Sequence, residues 1–231
     1  MPEEHEESVF KSLEIWQGKK LLTGAENMAV DQLLMERVGD IPILRIYGWS
    51  EPTVSFGYFL SLADAQQAFA EPDLTYLRRW TGGGIVDHRH DITYTLVIPR
   101  GHYLSQARGA ESYRMIHQSL AAALSQMGVG VRLTRVDEGD GGLACFSNPV
   151  AYDLTNLAGD KIAGAGQRRT RYGLLHQGSL CAEVDSNKTG KALASRLSSH
   201  VTEFIPPNTF FKDAAALAAM RYATDAWLRK K

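Results

Sequence analysis

The run Lys161-Ile162-Ala163-Gly164-Ala165-Gly166-Gln167-Arg168 constrains the fold more than any other stretch of the 231-residue chain. It lies between two strand-like runs, 151–157 and 174–183, and is joined to them by Ala158-Gly159-Asp160 and Thr170-Arg171-Tyr172-Gly173, so the three read as a meander. A strand built from Ala and Gly forgoes the packing that Val and Ile would supply, which implies that something approaches its backbone closely. Alternation places Lys161, Ala163, Ala165 and Gln167 on one face and Ile162, Gly164, Gly166 and Arg168 on the other. A lysine at the head of a strand is ordinarily a solvated charge, but here it would open a narrow trough of small residues.

The elements before the meander alternate between helix and strand. Thr23 with Glu26 three residues on forms a capping box, and Val30, Leu33, Leu34 and Val38 follow at amphipathic helical spacing until Gly39. Strands are expected at 43–49 and 53–56 around the turn Ser50-Glu51-Pro52, with a short helix over 62–69. Residues 74–80 lead into Thr81-Gly82-Gly83-Gly84, and 92–98 resumes strand character, so the glycine loop sits between strands. The longest helix is expected over 108–127, stopped by Gly128. Helices over 191–197 and 213–228, separated by Pro206-Pro207, close the chain. With no repeat or long linker, residues 1–231 read as one domain of mixed α/β type, flexible over residues 1–20.

Composition excludes several functions. A formal net charge of -1, without a run of Lys or Arg, gives no field for nucleic acid. No apolar run approaches membrane-spanning length, and the acidic start lacks the features of a secretory signal. Cys145 and Cys181 are accordingly expected as reduced thiols in a cytoplasmic protein, and their separation among scattered histidines matches no zinc-ligand spacing.

Cysteine is the strongest nucleophile available, yet at its ordinary pKa of about 8.5 it needs a nearby cation or base. Cys145 follows the acidic, glycine-rich stretch 137–142, whereas Cys181 belongs to a strand-like run, so position favours Cys145; for a cysteine taken at random, inert burial is the commoner outcome. Arg78-Arg79-Trp80 precedes the glycine loop, whose bare backbone lets amide N–H groups reach a carbonyl or phosphate oxygen. The loop lacks the Gly-Lys-Ser/Thr of a Walker motif, and a triple glycine is also a common tight turn. His88, His90 and His176 are candidate bases without an obvious carboxylate partner in sequence.

Read together, Arg78-Arg79-Trp-Thr-Gly82-Gly83-Gly84-Ile-Val-Asp-His88, Asp160-Lys161-Ile-Ala-Gly164-Ala-Gly166-Gln167 and Leu175-His176-Gln177-Gly178-Ser179-Leu180 resemble the lipoate-protein ligase and octanoyltransferase family. Glu26-Asn27-Met28-Ala29-Val30-Asp31 and 51–59 add to the likeness, which runs from about Leu22 to Glu183. Ala144-Cys145-Phe146 and Tyr152-Asp153-Leu154 look most like the octanoyltransferases that carry acyl groups on cysteine, whereas Gly84 stands where those enzymes often have arginine.

The resemblance implies an α+β fold, shared with biotin protein ligases, with a mixed, largely antiparallel sheet flanked by helices. It implies Cys145 as acyl-carrying nucleophile and Lys161 as the organising cation. Arg78, Gly82, Gly83, Gly84, His88, Ala163, Gly164, Ala165, His176, Gly178 and Ser179 would form the substrate site. The donor would be acyl carrier protein or an acylated lipoyl-domain protein, and the acceptor a lipoyl domain or the glycine-cleavage H protein. No cofactor is needed for such transfer, and a monomer is expected. Two alternatives remain: ATP- and Mg-dependent lipoate ligation with Arg78 and the third glycine at the phosphate, in which the accessory part lies on another chain, and a non-catalytic acyl-binding homologue.

Overall fold

The computed structural model describes residues 8–135 and 150–230. Its main sheet has eight strands in the order β11 (Val201–Glu203), β1 (Leu13–Gln17), β2 (Ile43–Tyr47), β6 (Ile92–Pro99), β10 (Gly173–Leu180), β9 (Lys161–Thr170), β8 (Leu154–Asn156) and β7 (Val131–Leu133). Pairing is parallel across β11, β1 and β2 and antiparallel from β2 to β7, which is the mixed, largely antiparallel sheet expected. A smaller sheet places β3 (Thr53–Phe56) between parallel β4 (Thr75–Arg78) and antiparallel β5 (Ile85–Asp87). The first twenty residues are not a flexible lead from residue 8 onward, since β1 lies inside the sheet.

Helices cover both faces of the main sheet. On one, α4 (Gly109–Gln126) and α5 (Ser186–Leu197) bury Ile116, Leu120 and Leu193 against Leu96, Ile98 and Leu174. On the other, α1 (Gly24–Arg37) buries Met28, Val30 and Leu34 with Ile43, Val97 and Leu175. The capping box of α1 forms as read, with the Glu26 N–H donating to Thr23 Oγ1 at 3.3 Å and the Thr23 N–H to Glu26 Oε2 at 2.9 Å. The helix is nevertheless no half-exposed one: Asn27 through Met35 are all buried, because α6 (Phe210–Leu217) and a π-helical turn at Ala218–Tyr222 pack on it. That turn divides the single closing helix expected over 213–228, and a separate short helix α7 follows at Asp225–Leu228. The short helices α2 (Leu62–Ala68) and α3 (Tyr103–Gln106) complete the elements.

Arg78 ties this C-terminal segment to the small sheet. It is 1% exposed, and its five N–H groups donate to the carbonyls of Trp227, Tyr58, Leu60, Leu228 and Lys230 at 2.6 to 3.1 Å. The Trp227 indole donates back to the Arg78 carbonyl at 3.0 Å. A planar guanidinium can fill five carbonyls converging from two segments; an ammonium has only three donors.

Between the sheet and α4 lies a chain of polar groups whose donors run in one direction. Gln167 Nε2 donates to His176 Nδ1 at 3.0 Å, leaving His176 Nε2–H for the Tyr94 oxygen at 3.4 Å. The Tyr94 hydroxyl then donates to His117 Nε2 at 3.2 Å, and His117 Nδ1–H to the Tyr152 carbonyl at 2.7 Å. Protonating either ring would set two donors face to face. Burial pushes the His117 pKa down to about 4 and the His176 pKa well below its ordinary value.

Two outcomes follow from these contacts. Arg78→Lys leaves carbonyls of the C-terminal segment unsatisfied, and urea unfolding is expected to show a loss of about 3 kcal/mol with faster amide exchange over residues 225–230; unchanged stability would contradict the clamp. Because both folded-state histidine pKa values lie below the unfolded value of about 6.5, unfolding free energy is undiminished by them above that pH. It should decline as pH falls from there toward about 4, and a profile flat between about pH 6.5 and 5 would rule out the neutral pair.

Candidate active site

The glycine loop joins β4 to β5, and its carbonyls are bound from within. Tyr58 N–H donates to the Thr81 carbonyl at 2.8 Å and Gly57 N–H to that of Gly84 at 3.2 Å. Arg79 spans the same loop, reaching the Gly84 carbonyl at 2.7 Å, the Gly82 carbonyl at 3.3 Å and Ser55 Oγ at 2.7 Å. The amide N–H groups of Gly82, Gly83 and Gly84 meet no acceptor among the described residues. On its other side the loop rests on β9, where a Cβ at Gly166 would overlap the Gly82 carbonyl. This is the close approach that the Ala-Gly strand implied.

A buried carboxylate holds the loop from the α1 side. Asp31 pairs with Arg45 at 2.6 Å and also accepts from Thr95 Oγ1 at 2.7 Å, Tyr47 OH at 3.1 Å and Gln177 Nε2 at 2.7 Å. Gln177 Oε1 in turn accepts from Thr81 Oγ1 at 2.8 Å. The β10 register puts Gln177 and Ser179 on the same face as Gly166 and Gly164, while His176 faces α4. His176 therefore lies behind the loop, and Gln177 touches it.

Lys161 departs from simple alternation. The pairing of β8 with β9 shifts register between Leu154 and Thr155, and Lys161 folds against Gly164, where a Cβ would meet its ε-carbon at 2.7 Å and its Nζ at 2.9 Å. Its ammonium is buried and pairs with Asp153 Oδ2 at 2.6 Å. Asp153 also accepts from the Val150 N–H at 2.8 Å and from the Tyr113 hydroxyl. Tyr113 accepts the Ala165 N–H at 2.8 Å, and burial, then the Asp153 charge, hold its phenol well above the ordinary value. Ala163, expected beside Lys161, is buried in the core with Leu154 and lines neither cavity at the glycine loop.

Two cavities meet at this loop. A narrow slot of about 20 Å³ runs between Met28, Trp49, Val86, His88 and Gln177, with Gly83, Gly84, Gly164, Ala165, Gly166, Gly178 and Ser179 also on its walls. An open cavity of about 450 Å³ lies among Gly82, Tyr113, Val150, Tyr152 and Gln167 and shares the wall Gly83, Ala165 and Gly166. The slot is narrow as it stands, and the second cavity has the room of a small-ligand site. His88 is fixed within it: Nδ1–H donates to Asp91 Oδ2 at 2.8 Å, Nε2 accepts from Ser55 Oγ at 2.5 Å, and Trp49 stacks on the ring at 4.1 Å. Asp91 was visible three residues along, and it is the carboxylate partner that the sequence reading did not find.

Seven of the expected substrate residues thus line the slot: Gly83, Gly84, His88, Gly164, Ala165, Gly178 and Ser179. Gly82 lines the second cavity, and Lys161 lies beside Gly164. Arg78, Ala163 and His176 do not join them: the first is spent on carbonyls and the others belong to the core. Cys145 and the stretch 137–142 lie outside the described residues, and Cys181 follows the end of β10 with its N–H on the Ile162 carbonyl at 2.7 Å. Among the described residues no group of three His, Cys, Asp or Glu side chains is placed to hold a metal ion, and no helix is long and apolar enough to cross a membrane.

The lipoyl protein ligase A/B catalytic domain matches residues 23–207. Octanoyltransferase LipM of Kyrpidia tusciae is 33% identical over 175 residues, covering 71% of this chain and 64% of that protein. LipM of Moorella thermoacetica is 36% identical over 170 residues, covering 70% and 62%. The chain spans less than two thirds of the length of these curated relatives. Among solved structures, a putative lipoate protein ligase from T. acidophilum with bound lipoic acid has a TM-score of 0.73 at 18% identity, covering 95% of this chain and 99% of that one. Lipoate-protein ligase A bound with ATP gives 0.73 at 18% identity, covering 95% and 98%; at this identity both speak for the fold alone. Matched over most of its length, the chain belongs to the lipoyl protein ligase A/B catalytic domain family.

Proposed function

We propose that this chain is an acyltransferase that carries an octanoyl or lipoyl group on Cys145 and passes it to a lysine amine of a lipoyl domain or a glycine-cleavage H protein. The donor is a thioester on acyl carrier protein or on an acylated lipoyl-domain protein. The observation that carries this reading is the buried Lys161 ammonium, paired with Asp153 and packed on Gly164 at a slot whose glycine-loop amides have no acceptor among the described residues. Relatives named octanoyltransferase, at 33% and 36% identity, support it. The ATP-dependent alternative needs Arg78 at a phosphate, and Arg78 has no N–H left to offer.

In the first step the Cys145 sulfur attacks the donor carbonyl, a carbon–sulfur bond forms to the enzyme, and the bond to the donor breaks as its thiol leaves with a proton. One thioester replaces another, so the step is near thermoneutral and needs neither ATP nor Mg. In the second, the acceptor amine attacks, the amide forms, and the proton lost by nitrogen returns to the Cys145 sulfur. Lys161 favours the thiolate and the negative oxygen of each tetrahedral intermediate, and the glycine-loop amides supply fixed dipoles to the same oxygen.

Incubation with octanoylated acyl carrier protein in the absence of ATP, read by intact mass, is expected to give an octanoyl adduct that Cys145→Ser abolishes. An adduct on the serine variant, or one that forms only with ATP, overturns the proposal. Lys161→Gln should slow transfer by about 10²- to 10³-fold. It also leaves Asp153 buried and uncompensated, at about 3 to 5 kcal/mol. Adding Asp153→Asn should restore stability in urea unfolding but not the rate; recovery of both would assign Lys161 a structural role only.

A further inference from the structure

We infer that the face formed by Phe59, Arg168, Arg221 and Lys230, beside the glycine loop, docks a carboxylate-rich surface of the carrier protein that delivers the acyl group. This rests on the acyl-transfer reading above and adds to it the place and the charge of the partner.

The observations are a cluster of cations over shared rings. Arg168 lies over Trp80 at 4.7 Å and Tyr58 at 5.1 Å. Arg221 lies over Trp227 at 4.0 Å and the same Trp80 at 5.5 Å, and Lys230 over the same Tyr58 at 4.1 Å. None of the three forms an ion pair with a carboxylate among the described residues, and the nearby Asp225 is engaged by Arg229. Their protein acceptors are neutral: the Trp80 carbonyl for Arg168, Gln32 Oε1 for Arg221 and the Tyr58 hydroxyl for Lys230. The buried Nε–H of Arg168 has no acceptor among the described residues. Burial lowers the Arg168 pKa and neighbouring Arg221 lowers it further. Arg78, bonded to the Tyr58 and Trp227 carbonyls, adds a fourth positive charge that forms no ion pair among the described residues.

In a chain of net charge -1, so local a concentration of unpaired cations selects an anionic partner. Its position indicates what that partner brings. Arg168 follows Gly164 and Gly166 along the slot face of β9, and Phe59 is 87% exposed with its ring against Gly82. An exposed aromatic ringed by cations at the rim of a slot is the anatomy of a protein contact, with an apolar anchor inside a charged border.

The test compares two octanoyl donors, acidic octanoylated acyl carrier protein and the neutral small thioester octanoyl-N-acetylcysteamine, on the full chain, with Lys230→Glu and Arg221→Gln as variants. The inference expects each variant to raise KM for the carrier protein by about tenfold and to weaken its dependence on salt, while acyl-enzyme formation from the small thioester is unchanged. Equal losses with both donors would show that these residues serve fold or chemistry, and no loss with either would remove the face from docking; both overturn the inference. Loss of binding to phosphatidylglycerol vesicles, with carrier-protein kinetics intact, would overturn it in favour of a membrane. If the wild-type chain forms no acyl-enzyme from either donor, the acyl-transfer reading fails instead, and direct binding of the carrier protein to wild type and Lys230→Glu still reports on the face.

Discussion

A carboxylate buried as fully as Asp31 is stable in a protein interior only if every oxygen is answered, and here the answers come from most of the fold. Arg45 of β2, Thr95 of β6, Gln177 of β10 and Tyr47 at the end of β2 converge on one side chain of α1. Asn27, one turn earlier, takes the other end of the Arg45 guanidinium at 2.6 Å. Through Gln177 the same network reaches Thr81 and so sets the height of the glycine loop above β9. Removing one member would strand a buried charge or a buried amide, so the helix, three neighbouring strands and the loop are specified together rather than in turn.

Around the slot, the second constraint is steric. β9 carries glycine at the positions where the loop carbonyl and the Lys161 ammonium come down on its backbone, and alanine at 163 on the opposite face, which turns into the core. The loop and the lysine therefore occupy volume that side chains would otherwise fill. The register shift in the β8–β9 hairpin makes this possible, because it brings a lysine from the head of the strand onto the same backbone stretch that supports the loop.

Much of this was legible in sequence. Long alternating or helical patterns, such as those over β6, β10 and α4, identify themselves, and the capping box announces α1. The edge strands β7 and β11 are three residues each, too short to show a period, and β1 is read only once β2 and β11 flank it. Which face of β10 is the slot could not be read from alternation, which gives the phase but not the direction; hence His176 was expected where Gln177 stands. Arg78 meets carbonyls some 150 positions away, a separation that no local pattern spans. At the head of β9 the register with β8 shifts and Lys161 turns onto Gly164, which periodicity does not foresee because it assumes an unbroken register.

The way Arg79 holds the loop has an energetic consequence for whatever oxygen the slot receives. With the Gly82 and Gly84 carbonyls already committed to a guanidinium that is itself anchored on Ser55, the orientation of the intervening peptide units is determined when the chain folds. Charge developing on a bound carbonyl would meet dipoles that do not have to turn, in contrast to water, which must reorganise around it at a cost to the barrier. The rigidity of a segment composed of the most flexible residue thus resides in its neighbours, and a change at Ser55 or Arg79 would be felt as reorganisation energy in the slot although neither residue belongs to the glycine run.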